Sequence, residues 1–247
     1  MIKYIMLGII QGFTEFLPVS SSGHLVIAQK LFGLSGEEIA ISVVLHLGTL
    51  LAVIIFFFKD IITIIRNLKL TVFVILTTAI TAIIAILGRG FFEGLFSSPR
   101  AVIIALFFNG IILLITGILR VKSEKKPSLK DAAVLGITQA LAVIPGISRS
   151  GITISTLLFK GINRETCFKL SFLVSIPLIL GAAILEFKEV GFIVESKLCN
   201  ILFGFIASLI SGIISLFFLK TIIKRAKFHY FGYYCILVAV LAFLFIK

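Results

Sequence analysis

Apolar residues run along this chain in long blocks, and the polar positions fall between the blocks rather than alternating within them. A helix needs roughly 20 apolar residues to cross about 30 Å of hydrocarbon, so blocks of this length predict spanning helices. Six fit: about Ile39 to Phe58, Leu70 to Gly88, Ala101 to Leu119, Phe168 to Leu185, Ile201 to Leu219 and Tyr230 to Ile246, each bounded by charge or by Gly and Pro. Two further apolar segments, about Ile2 to Phe32 and Ala132 to Phe159, are interrupted in the middle by Pro, Ser and Gly, and no half is long enough to span. Irregular backbone at membrane depth must be buried in protein or line a wet cavity, because lipid cannot satisfy free N–H and C=O groups. Both segments therefore read as re-entrant helix pairs, with two kinked spanning helices as the alternative. The predicted fold is an all-α integral membrane protein.

The interrupted segments also resemble each other. Aligning Leu7-Gly8-Ile9-Ile10-Gln11 with Leu135-Gly136-Ile137-Thr138-Gln139 sets Ser20, Ser22 and Gly23 opposite Ser148, Ser150 and Gly151 without a gap. Acidic residues follow each, Glu37 and Glu38 in one case and Glu165 in the other. This predicts an internal duplication within a single membrane domain over 1–247, with repeat 1 over about 1–119 and repeat 2 over about 130–247. With six spans and two returning arms, fifteen Lys and Arg fall on one face and seven on the other. The richer face is expected to be cytoplasmic and both termini external. An odd number of spans separates the arms, so the repeats are inverted. Inverted repeats with broken helices bring the tips of the breaks together near the midplane, where half-helix amino termini bind ions or anionic groups.

Composition agrees with a membrane solvent: 60% of the 247 residues are hydrophobic and 14% charged, where a soluble domain carries roughly a quarter charged. The formal charge of +12 sits in short clusters between apolar runs, such as Lys122 to Lys126. That pattern speaks for topology and anionic lipid heads rather than for nucleic acid. Gln11 and Glu15 break the apolar core a cleavable leader would have, so the amino terminus is expected to stay in the mature fold. Cys167, Cys199 and Cys235 have no metal-ligand spacing and read as small packing residues, without disulfides.

The first break reads Gln11-Gly-Phe-Thr-Glu15-Phe-Leu-Pro18-Val-Ser20-Ser21-Ser22-Gly23-His24. Gln11 and Glu15 share a helix face at a spacing of four. An acid in so apolar a segment faces a cavity or a partner, and is a functional candidate by default, with a structural ion pair as the bland alternative. Hydroxyls and free N–H groups at a helix amino terminus make an anion site, although Ser20 or Ser21 also serves as an ordinary cap. His24 stands within a turn of the serines and suits acid–base work. The second break reads Pro145-Gly146-Ile147-Ser148-Arg149-Ser150-Gly151-Ile152-Thr153. Arg149, opposite Ser21 in the alignment, offers a planar fork to two phosphate oxygens, or else neutralises Glu15. An acid, an amide, a histidine, an arginine and hydroxyls on two converging helix starts suit phosphoryl transfer. His46, inside a span, either lines the cavity or packs as a hydrogen-bonded histidine. His229 sits at a membrane boundary beside Tyr230, where such rings are expected.

At these two motifs the chain resembles the undecaprenyl-diphosphate phosphatase family, the bacitracin-resistance type of bacterial inner-membrane enzyme, and the resemblance covers essentially the whole chain. It implies six spanning helices plus two inverted re-entrant pairs, with a pocket opening outside. It also implies hydrolysis of undecaprenyl diphosphate to the monophosphate carrier for cell-wall synthesis, with a divalent cation, Mg2+ or Ca2+. Carried onto this sequence, Gln11 and Glu15 match the family's Glu/Gln-x-x-x-Glu element, Ser21 the nucleophile and His24 the histidine after Ser-Gly. Ser148, Arg149 and Thr153 match its phosphate-holding Ser-Arg-Ser-Gly-x-Thr element. Ser20, Ser22 and Ser150 join these as substrate-binding candidates. Position 11 is Gln where some members carry Glu, which leaves carboxylate chemistry and metal ligation to Glu15. Beyond the lipid substrate and membrane lipids, a homodimer is left open. The rival reading is a transporter or flippase of the lipid carrier, because inverted repeats with midplane breaks are also a transporter architecture.

Overall fold

A computed structural model describes residues 1–34, 38–96, 98–119, 125–185 and 187–245. Glu37, Lys122 and Ile246, singled out above, lie outside them. Helices follow in the order α1 (Ile2–Phe16), α2 (Ser21–Leu31), α3 (Glu38–Phe56), α4 (Phe58–Arg66), α5 (Leu68–Leu87), α6 (Arg89–Phe96) and α7 (Pro99–Ile115). The second half holds α8 (Leu129–Ala140), α9 (Arg149–Phe159), α10 (Arg164–Leu173), α11 (Ser175–Leu185), α12 (Phe187–Lys224) and α13 (Tyr230–Phe245). Among the described residues there is no strand, only an isolated bridge between Lys125 and Ile162.

The chain is an all-α, multi-pass membrane protein. Four stretches among the described residues are long and apolar enough to cross: Leu68–Leu87, Pro99–Ile118, Arg164–Leu185 and Cys199–Lys224. A fifth candidate is the pair Ala40–Phe56 and Phe58–Arg66, bent by 73°. The bend has a physical reason: α4 carries Lys59, Asp60 and Arg66, which hydrocarbon would not accept, and it buries none of its residues. Lys169 Nζ, from α10, pairs with Asp60 at 3.0 Å. The expected last span appears as the 16 residues of α13, about 24 Å at 1.5 Å per residue and short of the hydrocarbon thickness. The expected span at Phe168 to Leu185 is two helices parted at Val174. Pro177, in the first turn of the second, has no N–H to continue the ladder from the first.

Both interruptions read in the sequence are breaks between helices. The first is Leu17 to Ser20, and Ser20 takes φ 68, a left-handed conformation uncommon for a residue with a side chain. The second runs through a 3₁₀ turn at Leu141–Val143 to Ser148, with Gly146 at φ 103.

Each broken arm packs on a helix of the other half of the chain, α1 against α12 and α8 against α5. Small residues permit the approach: a Cβ on Gly12 would collide with Ser211 Oγ and lie 2.7 Å from the Gly212 nitrogen. Hydroxyls then close the seam, as expected where lipid offers no partner. Ser211 and Ser215 of α12 donate to the Gly8 and Phe13 carbonyls at 3.3 Å each. Thr77 and Thr81 of α5 donate to Ala132 at 3.2 Å and Gly136 at 3.0 Å. Helices α7 and α13 cross where Gly110 and Gly232 face each other's carbonyls. Below the breaks Phe16, Phe57, Phe168 and Phe172 form a buried aromatic core, with Phe16 edge-on to Phe172 at 5.4 Å.

Candidate active site

Glu15 is the hub where the two breaks meet. It lies in the last turn of α1, one turn beyond Gln11, and both side chains are buried. One carboxylate oxygen, Oε1, accepts from Arg149 Nη2 at 2.5 Å. The other, Oε2, accepts from Ser21 Oγ at 2.8 Å and Gln11 Nε2 at 3.2 Å, with His46 Nε2 at 3.5 Å. The acid therefore sees donors from the first and second arms, and the His46 ring from α3. Ser21 reaches it because it begins α2 directly after the strained turn at Ser20. Arg149 reaches it as the first residue of α9, which Ser148 caps by accepting the Gly151 N–H at 3.2 Å. The guanidinium also lies over the Phe172 ring, 5.8 Å from its centroid.

A cavity of about 400 Å³ opens beside this cluster. Its polar lining includes Glu15, Ser21, Ser22, His46, Ser148 and Arg149. Apolar residues also line it, among them Ala85 of α5, Ala142 and Val143 of the second break, and Leu178, Ile179, Ala182 and Ala183 of α11. Arg149 Nη1 and Gln11 Oε1 are buried polar atoms without a hydrogen-bond partner among the described residues. A guanidinium with a donor to spare beside a cavity suits an anion.

Several residues singled out in the sequence stand behind this wall. Ser150 and Thr153 are fully buried. Ser150 Oγ bonds Ser148 Oγ at 3.1 Å, while Thr153 Oγ1 donates to the Arg149 carbonyl at 2.7 Å and bonds Ser171 Oγ at 2.6 Å. Ser20 Oγ lies 3.4 Å from Ser22 Oγ. His24 is not among the cavity-lining residues: Nδ1 bonds the Ser20 carbonyl at 2.8 Å and Nε2 the Tyr234 hydroxyl at 2.8 Å. His46, which the sequence left between two roles, lines the cavity and hydrogen-bonds the Ser42 carbonyl through Nδ1 at 2.7 Å. Asn109, missed in the sequence, spans the breaks; a lone amide within an apolar run was the available signal. Nothing in the sequence marked Tyr234.

The model of the bacitracin resistance protein BacA family matches residues 4–241, nearly the whole chain. The chain belongs to that family. Among curated relatives, the undecaprenyl-diphosphatase of Carboxydothermus hydrogenoformans is 41% identical over 242 residues, covering 93% of this chain and 91% of the relative. The undecaprenyl-diphosphatase of Halothermothrix orenii is 40% identical over 254 residues, covering 97% and 95%. That of Methanobrevibacter smithii is 36% identical over 274 residues, covering 98% and 96%.

Proposed function

We propose that the chain hydrolyses undecaprenyl diphosphate to undecaprenyl phosphate and inorganic phosphate in the cytoplasmic membrane, with Glu15, Ser21 and Arg149 at the reacting centre. The observation that carries this is one carboxylate receiving both the Ser21 hydroxyl and the Arg149 guanidinium, from opposite breaks, in the wall of a cavity with both polar and apolar lining. Its relatives' name gives the substrate, and the cavity suits its head: the diphosphate would meet Arg149 and the first isoprene units the alanines of α5 and α11.

In this mechanism Ser21 Oγ attacks the terminal phosphorus and its proton passes to Glu15 Oε2. The bridging P–O bond breaks, undecaprenyl phosphate departs, and water then releases inorganic phosphate from the serine. Arg149 turns its spare donor to the equatorial oxygens, where charge accumulates. Ser22 and Ser148 add donors from the two helix starts. His46 faces the same carboxylate oxygen as Ser21 and takes part in moving protons; His24 steadies the Ser20 turn from outside the cavity. Gln11, Ser20, Ser150 and Thr153 support the groups in contact with phosphate.

Glu15 with the unpartnered Gln11 Oε1 offers hard oxygen ligands suited to Mg2+ or Ca2+. The described residues hold no cluster of three His, Cys, Asp or Glu side chains, so phosphate oxygens would complete the shell. Such a cation supplies positive charge to the diphosphate.

The wider architecture in this reading is six crossings and two inverted re-entrant arms, with the cavity open to the outside. One feature supports the duplication: Gly8 and Gly136, matched without a gap in the sequence, both give their carbonyls to a hydroxyl of a helix in the other half of the chain, Ser211 and Thr81.

Phosphate release by the purified protein from a C55 isoprenyl diphosphate, with and without chelator, tests the proposal. Wild type should turn over and Ser21→Ala should lose at least about a hundredfold in kcat, the order seen when an activated nucleophile or its partner is removed. Unchanged turnover in Ser21→Ala removes the serine from its role, and no turnover in wild type returns the transporter reading.

A further inference from the structure

We propose that Asn109 is a positioning residue: one buried amide on α7 fixes the two breaks relative to each other and so sets the offset between Ser21 and Arg149. The geometry stands alone; its catalytic consequence rests on the phosphatase reading. Asn109 is 1% exposed. Its Nδ2 donates to the Pro18 carbonyl at 3.1 Å, and its Oδ1 accepts the Ser148 N–H at 3.1 Å. Pro18 lies three residues before Ser21, and Ser148 immediately precedes Arg149, so the amide grips each break just upstream of its reactive side chain.

Both backbone groups lie where helical hydrogen bonding is interrupted, and the amide that meets them is buried, so the protein itself supplies their partner. The rest of the contact agrees. The Pro18 carbonyl also receives Cys235 Sγ at 3.4 Å, and Asn109 Nδ2 lies 3.4 Å from that sulfur. A Cβ on Gly151 would stand 3.1 Å from Asn109 Oδ1 and 3.2 Å from Pro18 Cβ, so the breaks touch under the amide. Helix α7 presses on the second break again at Gly146, whose Cβ would lie 2.9 Å from Ala105 Cβ. A shift of either break changes how far the serine stands from the guanidinium, and misplacement by about 1 Å costs on the order of a hundredfold in rate.

The test uses full-length Asn109→Ala and Asn109→Asp proteins in detergent, read by kinetics and by hydrogen exchange of peptides covering 17–20 and 144–149. Asn109→Ala should lower kcat at least about tenfold with KM within about twofold, because the phosphate-binding groups remain. Exchange should quicken at both breaks while that of the surrounding helices stays put. Asn109→Asp keeps the acceptor for Ser148 and loses the donor to Pro18, so exchange should quicken at the first break alone, with a smaller loss in kcat. Faster exchange with unchanged kcat overturns the positioning role and leaves the phosphatase reading intact. Unchanged exchange at both breaks overturns the coupling itself, whatever the rate. If wild type releases no phosphate, the phosphatase reading falls, and exchange alone decides whether Asn109 joins the breaks.

Discussion

Arg149 and Glu15 meet across 134 positions of sequence, and the pairing leaves the guanidinium one donor in reserve. A lysine at that position keeps the charge but not the planar fork that can hold the acid and an anion together. Arg149→Lys should therefore reduce phosphate release at least about a hundredfold, and near-normal turnover by that variant would rule out the clamp. Glu15, Ser21 and Arg149 were legible because charge and clustered hydroxyls stand out in hydrocarbon-like sequence. The roles of the histidines were less so. His24 is next to the serines in sequence, yet its ring turns to Tyr234 on α13, whereas His46 reaches Glu15 from α3. Which face of a helix meets a break depends on packing between distant helices, and adjacency along the chain does not report it.

The second arm starts on a capping box: Ser128 Oγ accepts the Asp131 N–H at 3.3 Å, and Asp131 Oδ2 accepts the Ser128 N–H at 3.0 Å. Lys125 Nζ pairs with the same carboxyl at 3.0 Å. Burial alone would raise this carboxyl, but the Ser128 and Lys125 contacts outweigh it and hold it below the ordinary Asp value. A depressed folded value means the contribution is present above the unfolded pKa of roughly 4 and is lost as pH falls through the folded one. The thermal midpoint of wild type should thus drop more steeply below about pH 4 than that of Asp131→Asn, which lacks the titrating group; parallel curves would contradict this. Removing the cap should cost on the order of 1 kcal/mol. In the apolar lining of the cavity, Ala182→Phe should raise KM at least about tenfold for C55 and farnesyl diphosphates alike, because about 400 Å³ takes only the first isoprene units, which both tails share. Unchanged KM on both would show that the tail lies elsewhere. Four of the six expected crossings correspond to long apolar stretches, because apolar length is written locally. The bend after Phe56 and the parting at Val174 depend on Lys59, Asp60 and Pro177, single residues that block length passes over.

At the scale of the molecule, the two halves hold each other by exchange, α1 on α12 and α8 on α5. The orientation proposed from the Lys and Arg count can be checked in a protein freed of its own cysteines. Arg66→Cys and Lys227→Cys should react with an impermeant thiol reagent only from the cytoplasmic side, and Gly90→Cys only from outside. Labelling of the two groups from swapped sides would invert the proposed arrangement, and labelling of both from one side would abolish it. The proposed duplication was read from the aligned breaks, but the packing of each arm on a helix of the other half was not, since sequence similarity says which segments correspond and not which ones touch. That exchange bears on biogenesis. The first arm emerges from the ribosome well before the helix it rests on, and at roughly 5–20 residues per second its seat is completed on the order of ten seconds later. Until then the nascent chain must shelter Glu15 by other means, in water or within the insertion machinery, so the acid cannot settle into the bilayer ahead of its arginine.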